Sequence, residues 1–176
     1  MRDLIRGITE ADWPQLAALE SEAYADLSLA EGEQLLRSRA RASAGTCFVL
    51  ELDGRLAGYV LALPYPRFSC PDLTRSEPAV HHTTTNLHLH DLVVGAPLRR
   101  RGLGTRLVRR LTGTARARGF ETISLVAVAD KEPFWRANGY RPHPAAPVPA
   151  DYGRGAVYMS ARVAAVPRPY PAREAV

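Results

Sequence analysis

Residues 87–94 read Leu-His-Leu-His-Asp-Leu-Val-Val, and residues 99–104 read Arg-Arg-Arg-Gly-Leu-Gly. The first run can move a proton; the second can hold a phosphate. An imidazole titrates near neutrality, so it can take the proton from an ammonium, which is not nucleophilic until it loses one. Alternate side chains of a strand share a face, which predicts His88 and His90 on one side of a sheet and Asp91 on the other. In a turn from strand to helix, Gly102 and Gly104 let the backbone curl around an anion with no Cβ in the way. The first N–H groups of the following helix lack intrahelical partners and, with the helix dipole, favour negative charge. Arg99, Arg100 and Arg101 add charge at the rim, and a pyrophosphate suits this better than a lone carboxylate.

Each run has a plainer reading. Strand histidines are often simply buried and hydrogen-bonded, with Asp91 left as a second-choice base. His81, His82, His88 and His90 together offer a metal-binding alternative, but no glutamate or cysteine completes a metal pattern, and no metal is expected. A Gly-x-Gly turn can serve the turn alone. The Walker Lys-Ser/Thr is missing, which argues against a nucleotide triphosphatase, and so is the six-residue Rossmann glycine pattern.

The elements that must position these runs follow from periodicity and punctuation. Thr9 caps a helix over roughly 11–24, and Ser28-Leu29-Ala30-Glu31 reads as a capping box for a second helix ending near Ala42. Residues 46–52 and 56–63 flank Asp53-Gly54 and predict an antiparallel hairpin, with Cys47 opening its first strand. Residues 64–85 are rich in proline and lack a period; a connection this long in a compact domain is functional or disordered, and Tyr65 and Phe68 are placed to cover an acceptor. Leu87 to Val94 is a strand. Gly102 to Arg118 is an amphipathic helix, with Leu103, Leu107, Leu111 and Ala115 on one face and Gly119 at its end. Thr122 to Ala129 is an apolar central strand, Asp130 caps a short helix to Asn138, residues 142–149 form a proline-rich loop, and Ala156 to Val163 is a last strand. The order predicts an α/β fold: a mixed sheet in one domain over 1–163, with a Pro- and Ala-rich tail at 164–176.

Composition narrows the function further. The chain has 176 residues, 46% of them apolar, enough for one core and one domain. No apolar run is long enough to span a membrane, and the start of the chain lacks the apolar core of a signal peptide, so no membrane partner and a cytoplasmic location are expected. Cys47 and Cys70 are expected as free thiols, and no activating neighbour marks Cys70 as a nucleophile. The net charge is +5, almost all of it from arginine, since Lys131 is the sole lysine. Arginines concentrate between Arg99 and Arg110, where phosphates explain them better than nucleic acid does; no aromatic-basic interleaving accompanies them.

Leu92-Val93-Val94 followed by Arg99-x-x-Gly102-x-Gly104 resembles the coenzyme A signature of the GCN5-related N-acetyltransferases, the GNAT superfamily. Pro133-Phe134-Trp135-Arg136-Ala137-Asn138-Gly139-Tyr140 resembles that family's second signature, at the usual separation. The resemblance implies a mostly antiparallel mixed sheet flanked by about four helices, and acetyl-CoA as co-substrate. It implies that the backbone of Leu92, Val93 and Val94 pairs with the pantetheine arm, and that amides of the segment Arg99, Arg100, Arg101, Gly102, Leu103, Gly104 and Thr105 hold the pyrophosphate. The Val94 N–H would then polarise the thioester carbonyl. The His-x-His strand, Pro133-Phe134-Trp135 and Glu22-Ala23-Tyr24 are similar to the arylalkylamine (serotonin) N-acetyltransferase branch. That likeness implies His88 and His90 as the groups that deprotonate the amine, and Tyr24 and Val126 as acceptor contacts.

The implied activity is direct transfer of acetyl to a primary amine of a small molecule in a ternary complex. A protein or peptide amine is the alternative acceptor, and a coenzyme A-binding module without catalysis is the alternative class. The last is raised by Trp135, which stands where the family often has a tyrosine that protonates the leaving thiolate; Tyr152, water or solvent would have to serve instead. A monomer or homodimer is expected.

Overall fold

The structure is a computed structural model, and it describes residues 3–78 and 83–164. Seven strands form one sheet in the order β1-β2-β3-β4-β5-β7-β6. They are β1 (Asp3–Gly7), β2 (Phe48–Leu52), β3 (Arg55–Pro64), β4 (Asn86–Val94), β5 (Thr122–Ala127), β6 (Arg141–Pro142) and β7 (Val157–Arg162). Four α-helices flank them: α1 (Trp13–Tyr24), α2 (Glu33–Ala42), α3 (Leu103–Ala117) and α4 (Glu132–Ala137). Only the β4–β5 pairing is parallel, as the connection through α3 requires; the other pairings are antiparallel. The mixed, mostly antiparallel sheet expected from the sequence is thus observed.

Each face of the sheet has its own core. On one side Leu103, Leu107, Val108, Leu111 and Ala115 of α3 pack with Leu50, Val60, Leu87, Leu89, Ile123, Leu125 and Met159. On the other, Trp13 and Leu16 of α1 and Leu36 and Ala40 of α2 pack with Val49, Tyr59, Leu61 and Val93. The regular apolar spacing of α3 makes this helix legible from sequence. Strand β1 is not: it is a short edge strand with exposed ends, laddered to β2 and tied by Arg6, whose guanidinium bonds Asp12 at 2.7 and 2.8 Å and also pairs with Glu51.

Two local departures from expectation shape the site. The sequence predicts a capping box at Ser28-Leu29-Ala30-Glu31, but α2 begins at Glu33 after Gly32, and Ser28 has φ 53°. The Glu31 carboxylate turns inward instead of capping the helix, and Glu20 of α1 accepts the Glu31 and Gly32 backbone N–H groups. The second departure lies in β4. Leu61 pairs with Asp91 and Ala62 with Leu89, so His90 is an extra residue in a β-bulge. The bulge switches the parity of the strand. Leu87 and Leu89 face the α3 core before it, Leu92 and Val94 face that core after it, and Val93 faces α1 and α2. Simple alternation placed Asp91 opposite the histidines; the bulge brings it to their side.

Candidate active site

The β4–β5 ladder holds only from Asn86–Thr122 to His88–Ser124. Beyond that point β5 stays paired with β7 as far as Ala127–Val157, and β4 stays paired with β3 as far as Val94–Gly58. The two central strands therefore splay, and the edge of Leu92, Val93 and Val94 that faces β5 carries no ladder. Gly58 lets β3 follow β4 here, since a Cβ at Gly58 would lie 2.6 Å from the Val93 carbonyl oxygen.

The open edge leads to the glycine-rich turn. Arg100 has φ 61° and Gly102 φ 76°, and Gly102 caps α3 at its N-terminus. The first intrahelical bond closes with Arg106 N–H on the Gly102 carbonyl at 3.1 Å, leaving the amides of Leu103, Gly104 and Thr105 without helical acceptors. The first turn holds no acidic residue. Arg99 Nε donates to the Val94 carbonyl at 3.0 Å and ties the loop to the strand end. A Cβ on Gly104 would meet the Phe134 ring at 3.1 Å, so the second glycine permits α4 to close against the loop. Helix-start amides without helical acceptors, the positive helix end and local arginines are chemically suited to an anion such as a polyphosphate. Arg106 is not part of its rim; it pairs with Asp3 of β1.

On the α1/α2 face the splay and the bulge open a cavity of about 50 Å³, lined among others by Glu20, Tyr24, Glu31, His90, Asp91, Val126 and Tyr152. Tyr24 and Val126, named from sequence as acceptor contacts, meet here with His90. Buried Asp91 sits between half-buried Tyr24 and buried Tyr59, accepting from Tyr24 Oη and Tyr59 Oη at 2.5 Å each. Burial raises its pKa, against the lowering effect of those two hydroxyls. Burial likewise raises the pKa of Glu20, against the two backbone N–H groups it accepts.

The two histidines differ. His90 Nε2 pairs with Glu31 Oε1, and its Nδ1 is buried without a hydrogen-bond partner among the described residues. His88 is fully buried and does not line the cavity. Its Nδ1 is 3.0 Å from Ser124 Oγ and its ring lies against Tyr158 at 6.5 Å between centroids. Burial, with the charges of His90 and Arg39, drives its pKa well below the ordinary imidazole value, so His88 is neutral. The structure therefore brings one histidine of the pair to the cavity and sets the other 6.4 Å behind it.

Glu31, which sequence periodicity assigned to a helix cap, links this histidine to a buried cation. Arg39 Nη2 donates to Glu31 Oε2 at 2.7 Å and to the Asp72 carbonyl at 2.6 Å, while Nη1 donates to Glu77 at 2.5 Å. Burial acts to raise the Glu31 pKa, but its hydrogen bond and charge pairing with His90, joined by Arg39, outweigh this and hold it below the usual carboxylate range. The capping pattern of residues 28–31 hides this role in the sequence; in the structure Gly32, with φ 83°, breaks the capping geometry.

Residues 65–78 are firmly tied, and one of them reaches the cavity. Besides the Arg39 bonds, Tyr152 Oη donates to the Pro71 carbonyl at 2.7 Å, the Phe68 N–H donates to Tyr158 Oη at 2.9 Å, and the Glu77 N–H donates to Ser38 Oγ at 3.1 Å. Leu73 reaches the cavity wall. The tether occupies the Tyr152 hydroxyl, and burial raises its pKa, which counts against Tyr152 as a ready acid. Trp135 is 7% exposed and packs edge-on against Phe134 and Tyr140, at 4.9 and 5.4 Å between centroids: it is core. Cys70 is partly buried and burial raises its pKa, so it is no activated nucleophile. The metal alternative needed His81 and His82, which lie outside the described residues; among the described residues no group of three or more His, Cys, Asp or Glu is arranged to hold a metal.

Residues 9–140 match the Acetyltransferase (GNAT) family, and the chain belongs to it: it is an N-acetyltransferase by class. No curated protein matches the chain. Among solved structures, it is similar in fold to Ard1 from Thermoplasma volcanium, with a TM-score of 0.72 and 16% identity over 93% of this chain and 99% of that one. It is similar to the ribosomal-protein-S18-alanine N-acetyltransferase from Escherichia coli, with a TM-score of 0.66 and 18% identity over 96% and 99% of the two chains. It is also similar to the GphF GNAT-like decarboxylase in complex with isobutyryl-CoA, with a TM-score of 0.74 and 19% identity over 92% and 100%. Among the described residues no helix is long and apolar enough to cross a membrane.

Proposed function

We propose that the protein transfers acetyl from acetyl-CoA to the primary amine of a small molecule, by direct attack in a ternary complex over the unit 1–163. The carrying observation is the cavity at the splay. Glu20, Glu31 and Asp91 line it and, among the described residues, no lysine or arginine does, so the acceptor that suits it is a cation, the ammonium form of an amine. At about 50 Å³, with Leu73 of the tied segment 65–78 in its wall, it admits an ammonium and a few carbons rather than a folded chain.

The co-substrate would run its pantetheine arm along the free edge of Leu92 to Val94 and set its pyrophosphate on the amides between Arg100 and Thr105. A thioester supplies an activated acyl group and a thiolate that leaves without strong acid help. The Val94 N–H would donate to the thioester carbonyl oxygen as negative charge grows there. His90 takes the ammonium proton, and His88, neutral and buried, supports it from behind. The histidine strand and Tyr24 with Val126 favour an aryl- or alkylamine, in keeping with the resemblance to the arylalkylamine branch.

Thiol release measured over aryl amines, alkyl diamines, aminoglycosides and peptide N-termini tests this reading. Release with a small primary amine at the highest kcat/KM is expected. Release with peptides alone would shift the acceptor to a polypeptide, and no release with any amine despite coenzyme A binding would reject the transferase reading.

A further inference from the structure

Beyond the general scheme, His90 has two ring nitrogens in unlike settings. Nε2 faces Glu31, and Nδ1 is buried with no partner among the described residues, although the His90 side chain is only 2% exposed. A buried polar atom without a partner is uncommon in a folded protein and calls for an explanation. Glu31 in turn cannot rotate freely: its other oxygen accepts Arg39 Nη2, and Arg39 is itself fixed by Glu77 and the Asp72 carbonyl.

We infer that Glu31 is a positioning residue that holds neutral His90 as the Nε2–H tautomer, so that Nδ1 is the atom that takes the proton from the acceptor amine. An ionised carboxylate has only lone pairs to offer, so the ring nitrogen facing it must carry the hydrogen. The lone pair then falls on Nδ1, the nitrogen left free for a ligand proton. Once Nδ1 is protonated, the Glu31 charge stabilises the imidazolium, the role a buried carboxylate plays behind a catalytic histidine. The proton passes from ammonium nitrogen to Nδ1, leaving the amine lone pair for acyl transfer; nothing is oxidised or reduced. This assignment rests on the transferase reading for its purpose but not for its geometry. The charged and titratable groups around His90 are Glu31 and, through it, Arg39, with Asp91 and His88 from β4, Glu20 and Tyr24 from α1, and Tyr152.

The test is ¹⁵N correlation spectroscopy of the full-length protein labelled at histidine, recorded at a pH where His90 is neutral, with His90→Gln to assign its signals. The expected result is a protonated Nε2 and a bare Nδ1. A bare Nε2 with protonated Nδ1 overturns the inference, and so does an equal mixture of the two tautomers. A second readout is a cycle of Glu31→Gln and His90→Gln. Glu31→Gln is expected to lower kcat/KM on the order of 10- to 100-fold in the wild-type background. It should add little in the His90→Gln background. Equal losses in both backgrounds, the mark of a purely structural role, would contradict the inference. The tautomer is read without turnover, so an inverted tautomer in an active enzyme sinks this inference alone, while a correct tautomer in a chain that acetylates no amine sinks the transferase reading alone.

Discussion

The two halves of the site are built on opposite terms. The proposed phosphate cradle is made of backbone: amides at the start of α3, two glycines at positions 102 and 104, and an edge of β4 freed by the splay. The proposed amine cavity is made of side chains drawn from distant parts of the chain, with Glu20 from α1, Glu31 from before α2, His90 and Asp91 from β4, Val126 from β5 and Tyr152 from near β7. A backbone site depends on conformation and tolerates most side-chain changes. A side-chain site depends on buried charges that must be paired, and it fails when one partner goes. The cradle should therefore break only at its glycines, and the cavity at nearly any of its ionic residues.

The largest effect should come from the buried cation. Arg39→Ala leaves Glu31 and Glu77 as uncompensated buried charges and is expected to cost about 3–5 kcal/mol of stability, read from the urea midpoint. A loss as small as that of Arg100→Ala would mean the cavity's charges are not coupled as the geometry implies.

The cradle should respond at a different readout. Gly104→Val drives a branched side chain against Phe134, where even a Cβ would lie at 3.1 Å, and is expected to raise KM for the acyl donor roughly tenfold while KM for the amine holds. Equal rises in both would erase the division between the two regions.

That division also sets what the sequence could reveal. The cradle was legible because one short run carries it: strand, arginines, Gly102, Gly104, then an apolar helical period. Leu92 to Val94 were legible with it. The cavity was legible only in fragments. His90, Tyr24 and Val126 carried a signal through resemblance to a family. Glu20 and Glu31 carried none, because the capping pattern of residues 28–31 reads locally and the contact to His90 spans 59 positions. The face of Asp91 was misread for a sharper reason. Period-two alternation holds only while pairing is regular, and one extra residue at His90 reverses it. The short edge strand β1 escaped notice because its residues lack the apolar alternation that marks a half-buried strand.

The smallest effect lies with His88 and emerges only in acid. Its folded pKa is depressed, so the unfolded chain binds its proton more readily. The stability this contributes is present above the ordinary imidazole value and is lost as pH falls below it. His88→Gln should leave stability near neutrality little changed and flatten this acid-side loss, as measured by thermal unfolding between pH 4 and pH 8, about two units either side of the imidazole value. A variant that loses stability with acid as steeply as the wild type would show that His88 is charged in the fold.

In the proposed reaction the amine gives its proton to His90 inside this cavity. The direct test is the pH dependence of kcat/KM for a small primary amine, in the wild type and in His90→Gln. The expected result is an acid limb in the wild type that disappears in His90→Gln, with a loss of about 10²- to 10⁴-fold at the plateau and an unchanged KM for the acyl donor. The same limb in both proteins, with a plateau loss below about threefold, would contradict it.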